Sequence, residues 1–288
     1  MVTVIGFNIV GCKKTDNECD NVKNNNMELN KEELWKISKG KKEIIVGVID
    51  SGVDISCDVL KNSIINNNKE DNSLYDERLY DYHGTYICTN ISQIAPGVSI
   101  LPVKFMSGTK GTIEDAISAI EYAIERGAVI INCSWNFDKY SEKLYRLIKE
   151  NSNVLFICAA GNSSINLDKE NIYPCNYDLE NIITVGAMDE EGYVYGSSGY
   201  GKQVDIVALG VDVEVIVPDN AITKVSGTSI ATSYVSAAVA LMLSLDADLT
   251  PYKIKDILKE TATPMSTLKG KCDGNGCLNI RKALLKCQ

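Results

Sequence analysis

The chain of 288 residues contains one histidine, His83, in the run Asp81-Tyr82-His83-Gly84-Thr85. Neutral-pH attack by a serine hydroxyl needs a base with a pKa near 7 and a carboxylate to orient it. Any such chemistry here must therefore run through His83. A candidate carboxylate, Asp50, lies 33 positions upstream in Val48-Ile49-Asp50-Ser51-Gly52. A candidate nucleophile, Ser229, lies 146 positions downstream in Gly227-Thr228-Ser229-Ile230-Ala231. Ser229 would attack, His83 would take its proton, and Asp50 would hold the imidazole tautomer. Each residue also has an ordinary reading: Asp50 as a strand-end turn residue, Ser229 as a helix cap, His83 as a satisfied core side chain.

A fourth segment changes that balance. Ala159-Ala160-Gly161-Asn162 follows the apolar run from Val154 to Cys158. Taken in order, these pieces resemble the subtilisin-like serine proteases (subtilases, family S8). The resemblance runs from about Glu33 to the C-terminus and includes Ser134-Trp135-Asn136, Tyr173-Pro174 and Leu278-Asn279-Ile280. It implies an Asp50–His83–Ser229 triad, with the Asn162 side chain and the Ser229 N–H as oxyanion donors. It also implies a peptide bound as an added strand between Ser107–Gly111 and Ser134–Asn136. Substrate contacts are then expected at Gly108, Ser134, Trp135, Asn136, Ala160, Gly161 and Ile172, with the glycines allowing close backbone approach.

The chain departs from the family pattern in several places. Ser233-Tyr234 stands where Pro-His is usual, which predicts altered packing. Trp135 and Asn136 replace a small apolar residue and glycine, so the indole is expected to narrow or extend the cleft. Ile172 stands where glycine often floors the S1 pocket, which predicts a shallow S1 favouring small P1 residues. His83 and Lys104 are 21 residues apart, with Gln93-Ile94-Ala95-Pro96-Gly97 as a shortcut. The family's calcium-binding loop therefore looks shortened. No cofactor is expected to be required, although calcium stays open.

Positioning these residues takes strands that end at them and helices that begin at them. A buried strand, Lys42 to Ile49, ends at Asp50, and a helix from His83 to Ile94 opens at the histidine. Further strands are expected at Val98–Val103, Ala128–Cys133, Val154–Ala159, Ile182–Val185 and Val204–Val207. Helices are expected at Glu33–Ser38, Lys139–Asn151 and Pro251–Thr261, the last with proline in its first turn. Between Thr112 and Glu125, Ile113, Ala116, Ile117, Ile120 and Ala123 form one apolar face. Thr228 to Ser244 reads as an apolar central helix opening at the nucleophile. Strands alternating with helices predict an α/β fold: three layers, α/β/α, around a mainly parallel central sheet.

Residues 1–32 are expected to form a short extension and 33–288 the peptidase domain. Within the extension, 13–32 is rich in Asn, Lys, Asp and Glu and reads as a solvated linker. Fewer than 45 residues precede the first core strand, too few for the folded pro-domain of secreted members. Ile9-Val10-Gly11-Cys12 resembles a lipoprotein cleavage box, but no Lys or Arg precedes it. The expected location is cytoplasmic, with a lipid anchor at Cys12 as the alternative. Cys57, Cys88, Cys133 and Cys158 read as small buried residues, which favours a reducing compartment. Cys272 and Cys277 would bridge a turn or stay free. A net charge of −9 argues against non-specific nucleic-acid binding. No apolar run suggests a membrane span. The oligomeric state is not legible.

The function expected is that of a serine endopeptidase acting on a peptide or protein. Its substrate role is either processing a specific peptide, such as the leader of a bacteriocin or other modified peptide, or general intracellular proteolysis. A pseudoprotease that binds peptides without cleaving them is the reading from another class, and the intact set Asp50, His83, Asn162 and Ser229 speaks against it. An esterase is disfavoured, because the GxSxG elbow is missing around Ser229.

Overall fold

The computed structural model describes residues 2–3, 30–65, 82–108, 110–274 and 276–288. The strands are β1 (Val2–Thr3), β2 (Ile45–Asp50), β3 (Ser99–Lys104), β4 (Ile130–Cys133), β5 (Asn136–Phe137), β6 (Leu155–Ala159), β7 (Ile182–Met188), β8 (Ile206–Leu209), β9 (Val213–Ile216), β10 (Ile222–Val225), β11 (Thr263–Pro264) and β12 (Gly276–Cys277). The helices are α1 (Lys31–Ile37), α2 (His83–Ile94), α3 (Ile113–Glu125), α4 (Glu142–Glu150), α5 (Thr228–Leu245), α6 (Pro251–Thr261) and α7 (Ile280–Lys286).

Eight strands form one sheet in the order β11-β12-β8-β7-β6-β4-β2-β3. All neighbours in it are parallel except β11 and β12. Its central strands are buried along their whole length, as Ile130–Cys133 and Ile182–Met188 are. That is how strands covered on both faces read. One core packs α2 and α5 against the sheet and the other packs α3 and α4. The expected three-layer α/β/α fold is what forms.

The chain order fixes where a site can sit. After β2 the chain lays β3 on one side of it, then returns to lay β4 on the other. The order of strand addition therefore reverses at β2, and open α/β sheets bind ligands beyond the carboxyl ends of strands at such a switch point. Asp50 is the last residue of β2.

Helix α5 explains an apparent conflict in the sequence. Its 18 residues are long and apolar enough to cross a membrane, yet 83% of that stretch is buried inside the fold. Three of its hydroxyls bond their own helix: Thr232 to the Thr228 carbonyl, Ser233 to Ile230 and Ser244 to Ala240. Thus α5 is the spine of the core. Asn90 Nδ2 on α2 donates to Ser233 Oγ at 2.7 Å and ties the two helices together. That bond uses the serine standing where proline was usual.

Seven of the described cysteines, Cys57, Cys88, Cys133, Cys158, Cys175, Cys272 and Cys277, are buried, and Cys287 is half-buried. Burial raises the Cys57 thiol to about 11 and pushes Cys88, Cys158 and Cys175 well above the ordinary range. Cys272 and Cys277 do not bridge. Residues 13–29, the polar loop at 66–72, and Cys12 lie outside the described residues.

Candidate active site

Asp50 and His83 meet at the switch point. Nδ1 of His83 lies 2.7 Å from Asp50 Oδ1, and both side chains are 1% exposed. The same Oδ1 accepts the Ser51 N–H at 2.7 Å, while Oδ2 is buried with no hydrogen-bond partner among the described residues. His83 is the first residue of α2, and glycine follows it for a steric reason. A Cβ on Gly84 would lie 2.2 Å from the Gly52 carbonyl and 3.2 Å from Asp50 Cβ. Only glycine lets the helix start this close to the Asp50 turn. Ser51 Oγ accepts the Gly84 N–H at 3.1 Å and ties turn to helix.

Ser229 is the second residue of α5, fully buried. Its N–H is among the unpaired donors at a helix start, where the helix dipole also favours negative charge. Its hydroxyl donates to the Ser134 carbonyl at 3.2 Å, and Ser134 Oγ donates back to the Ser229 carbonyl at 3.2 Å. Behind this exchange, Asn132 Nδ2 donates to Ser134 Oγ at 2.9 Å, and Ser236 Oγ donates to Asn132 Oδ1 at 2.8 Å. Sequence reasoning missed Asn132 and Ser236, because a polar pair inside a buried strand and helix carries no motif.

Asn162 faces the start of α5. Its Oδ1 accepts both the Thr228 N–H at 2.9 Å and the Thr228 hydroxyl at 2.8 Å. That holds the amide with Nδ2 turned the other way, toward Gly227, where a Cβ would lie 2.8 Å from it. Gly227 takes φ 156° and leaves the space open.

The expected substrate-contact residues divide by strand alternation. Ser134 meets Ser229, and Asn136 lines an open cavity of about 260 Å³ together with Asp138, Gly161, Ser163, Ile165, Glu170, Asn171 and Ile172. Trp135, between them, points to the opposite side and is 0% exposed. Its Nε1 donates to the Ile49 carbonyl at 2.8 Å, and its ring lies 5.1 Å from Phe105 and 5.3 Å from Phe137. The indole expected in the cleft is a core side chain. Ala160 is buried, its N–H bonded to the Val185 carbonyl at 2.9 Å. Gly108 takes φ 57° with open space around its Cβ position, so turn conformation rather than close approach calls for glycine there. Asp138 and Glu170 were not singled out from sequence, since nothing in an isolated acidic residue announces a cavity wall.

One edge of β5 carries a strand already. Val2–Thr3 pairs antiparallel with Asn136–Phe137, in the register Val2 to Phe137 and Thr3 to Asn136. The segment following Ser134 thus accepts an extended chain.

Where a calcium loop would branch, α2 runs to Ile94, Gly97 N–H bonds the Lys39 carbonyl at 2.7 Å, and β3 starts at Ser99. Among the described residues, no group of three or more His, Cys, Asp or Glu side chains is placed to hold a metal ion.

Comparison with known proteins places this geometry. The model of the subtilase family matches residues 41–279. The thermophilic serine proteinase of Bacillus sp. (strain AK1) is 31% identical over 245 residues, covering 81% of this chain and 59% of that protein. The major intracellular serine protease of Bacillus subtilis (strain 168) is 31% identical over 243 residues, covering 78% of this chain and 76% of the relative. Among solved structures, the prenylagaramide maturation protease PagA superposes with a TM-score of 0.75 at 28% identity, covering 90% of this chain and 99% of that one.

Proposed function

The chain belongs to the subtilase family, and from that premise we propose that it is a serine endopeptidase whose working groups are Asp50, His83, Ser229 and Asn162. The observation that carries this reading is the buried 2.7 Å contact between His83 Nδ1 and Asp50 Oδ1. That contact fixes the tautomer, so Nε2 is the nitrogen available for proton transfer. In this reading the Ser229 hydroxyl leaves the Ser134 carbonyl and donates to Nε2, a bond that commonly tightens only with substrate present. His83 takes the proton as Ser229 attacks the scissile carbonyl, then returns it to the leaving amine. Asp50 stabilises the imidazolium meanwhile. Asn162 Nδ2 and the Ser229 N–H receive the developing oxyanion, aided by the N-terminus of α5. Substrate lies as a strand along Ser134–Asn136, a mode supported by the pairing of Val2–Thr3 with β5.

The substrate role we favour is removal of a leader from a specific modified peptide, supported by the likeness to a maturation protease. General intracellular proteolysis is the second reading, favoured by the likeness to an intracellular serine protease. A reducing compartment suits the buried cysteines.

The test is intact mass after treatment with a fluorophosphonate. The wild type is expected to gain one adduct and Ser229→Ala none. A folded wild-type protein that gains none would instead be a peptide-binding pseudoprotease.

A further inference from the structure

Resting on the endopeptidase reading, the geometry points to a specificity for lysine or arginine at P1, set by Asp138 and Glu170. The cavity of about 260 Å³ is walled by residues that neighbour the proposed working groups in sequence. Asn136 in its wall lies two residues beyond Ser134, whose carbonyl accepts the Ser229 hydroxyl. Gly161 in its wall precedes Asn162, which caps α5. This is the place a P1 side chain enters.

Its lining has two characters. Ile172 and Ile165 are apolar, and Ile172 Cδ1 reaches within 2.7 Å of where a Gly161 Cβ would stand. The isoleucine is therefore laid flat on the glycine backbone and floors the cavity. Asp138 and Glu170 are exposed carboxylates, and no lysine or arginine shares the lining. A third group points to a donor-bearing ligand. Asn136 is 2% exposed, and its Nδ2 donates to the Ala159 carbonyl at 2.9 Å. Its Oδ1 is buried with no hydrogen-bond partner among the described residues and faces the Gly161 wall, 3.5 Å from the same Cβ position.

An apolar floor, an acidic mouth and an unpaired buried acceptor together match a side chain with a hydrocarbon stem and a cationic, donor-rich head. A small side chain, expected from Ile172 alone, would leave most of the cavity wet, since about 150 Å³ already admits benzene. A purely apolar side chain would leave Asn136 Oδ1 without a partner and bring no charge to the carboxylates. A glutamate would meet two like charges.

The test uses internally quenched peptides identical except at P1, with Arg, Lys, Ala, Leu or Glu there. Arg and Lys are expected to exceed Ala and Leu in kcat/KM by about tenfold or more, with Glu lowest, as expected for charge pairs at a partly desolvated mouth. The Arg-to-Ala ratio is expected to fall as salt rises and to drop about tenfold in the Asp138→Asn, Glu170→Gln double variant. Glu170→Lys is expected to raise cleavage after Glu. Ala or Leu ranking first, or an Arg-to-Ala ratio that neither salt nor the double variant moves, overturns the inference while leaving the endopeptidase reading standing. No cleavage of any peptide together with no fluorophosphonate adduct removes the endopeptidase reading and this inference with it.

Discussion

Replacing Trp135 by phenylalanine separates a core role from a cleft role. The indole is fully buried and donates one hydrogen bond to the Ile49 carbonyl, next to Asp50. Phenylalanine keeps an aromatic ring against Phe105 and Phe137 but removes that donor. Losing the bond costs about 1–1.5 kcal/mol. The missing ring atoms leave a void of about 40 Å³, worth about 1 kcal/mol at the usual cavity coefficient. A total near 2.5 kcal/mol follows. With an unfolding entropy of about 2.1 cal/mol/K per residue, a chain of 288 residues would drop in Tm by about 4 °C. The measurement is thermal unfolding in a Ser229→Ala background, which removes self-digestion, with kcat/KM measured separately in the active protein. The expected kcat/KM changes by less than about threefold, because no indole atom reaches the cleft. A Tm within 1 °C of the parent, combined with a tenfold loss of kcat/KM, would refute the core assignment.

Two further outcomes are expected. Asn162→Ala should lower kcat by about 10²–10³ with little change in KM; that magnitude is the one known for the equivalent donor in subtilisin, a relative. Alkaline stability should also depend on Tyr234, whose phenol is pushed up to about 12 by burial, with Glu190 adding to the effect. Because the folded value lies above the ordinary 10, its contribution is whole below pH 10 and fades as pH climbs through 12. Lys259 acts in the same direction: burial would lower its pKa, but the Asp205 and Asp273 carboxylates raise it above the ordinary value. Urea midpoints from pH 8 to 12 should fall more gently in Tyr234→Phe, and equal slopes would contradict this.

The parts legible in the sequence were those set by local pattern. Helix α2 starts at His83 and ends at Ile94, as expected, and Pro96 just beyond it has no N–H to continue the ladder. Helix α6 runs from Pro251 to Thr261 for a similar reason. Thr112 caps α3 through a capping box with Asp115 rather than joining it. What escaped was short or non-local. The strands of the β9–β10 hairpin have four residues each, and β11 and β12 have two each. The direction of Trp135 depended on the phase of a strand, which residue type alone does not set. Asp138 and Glu170 come to one cavity only because the loop before Pro174 folds back toward β5.

The buried thiols give this protein a set of internal clocks. A sulfhydryl sealed from solvent and held in its protonated form reacts with an alkylating reagent only when its surroundings open. Cys57 and Cys88 sit near the Asp50–His83 pair, Cys133 and Cys158 face each other in the middle of the sheet, and Cys272 and Cys277 lie toward its far edge. The order in which these sulfurs acquire label would chart which parts of the molecule breathe independently and which part with their shelter only when the whole fold gives way.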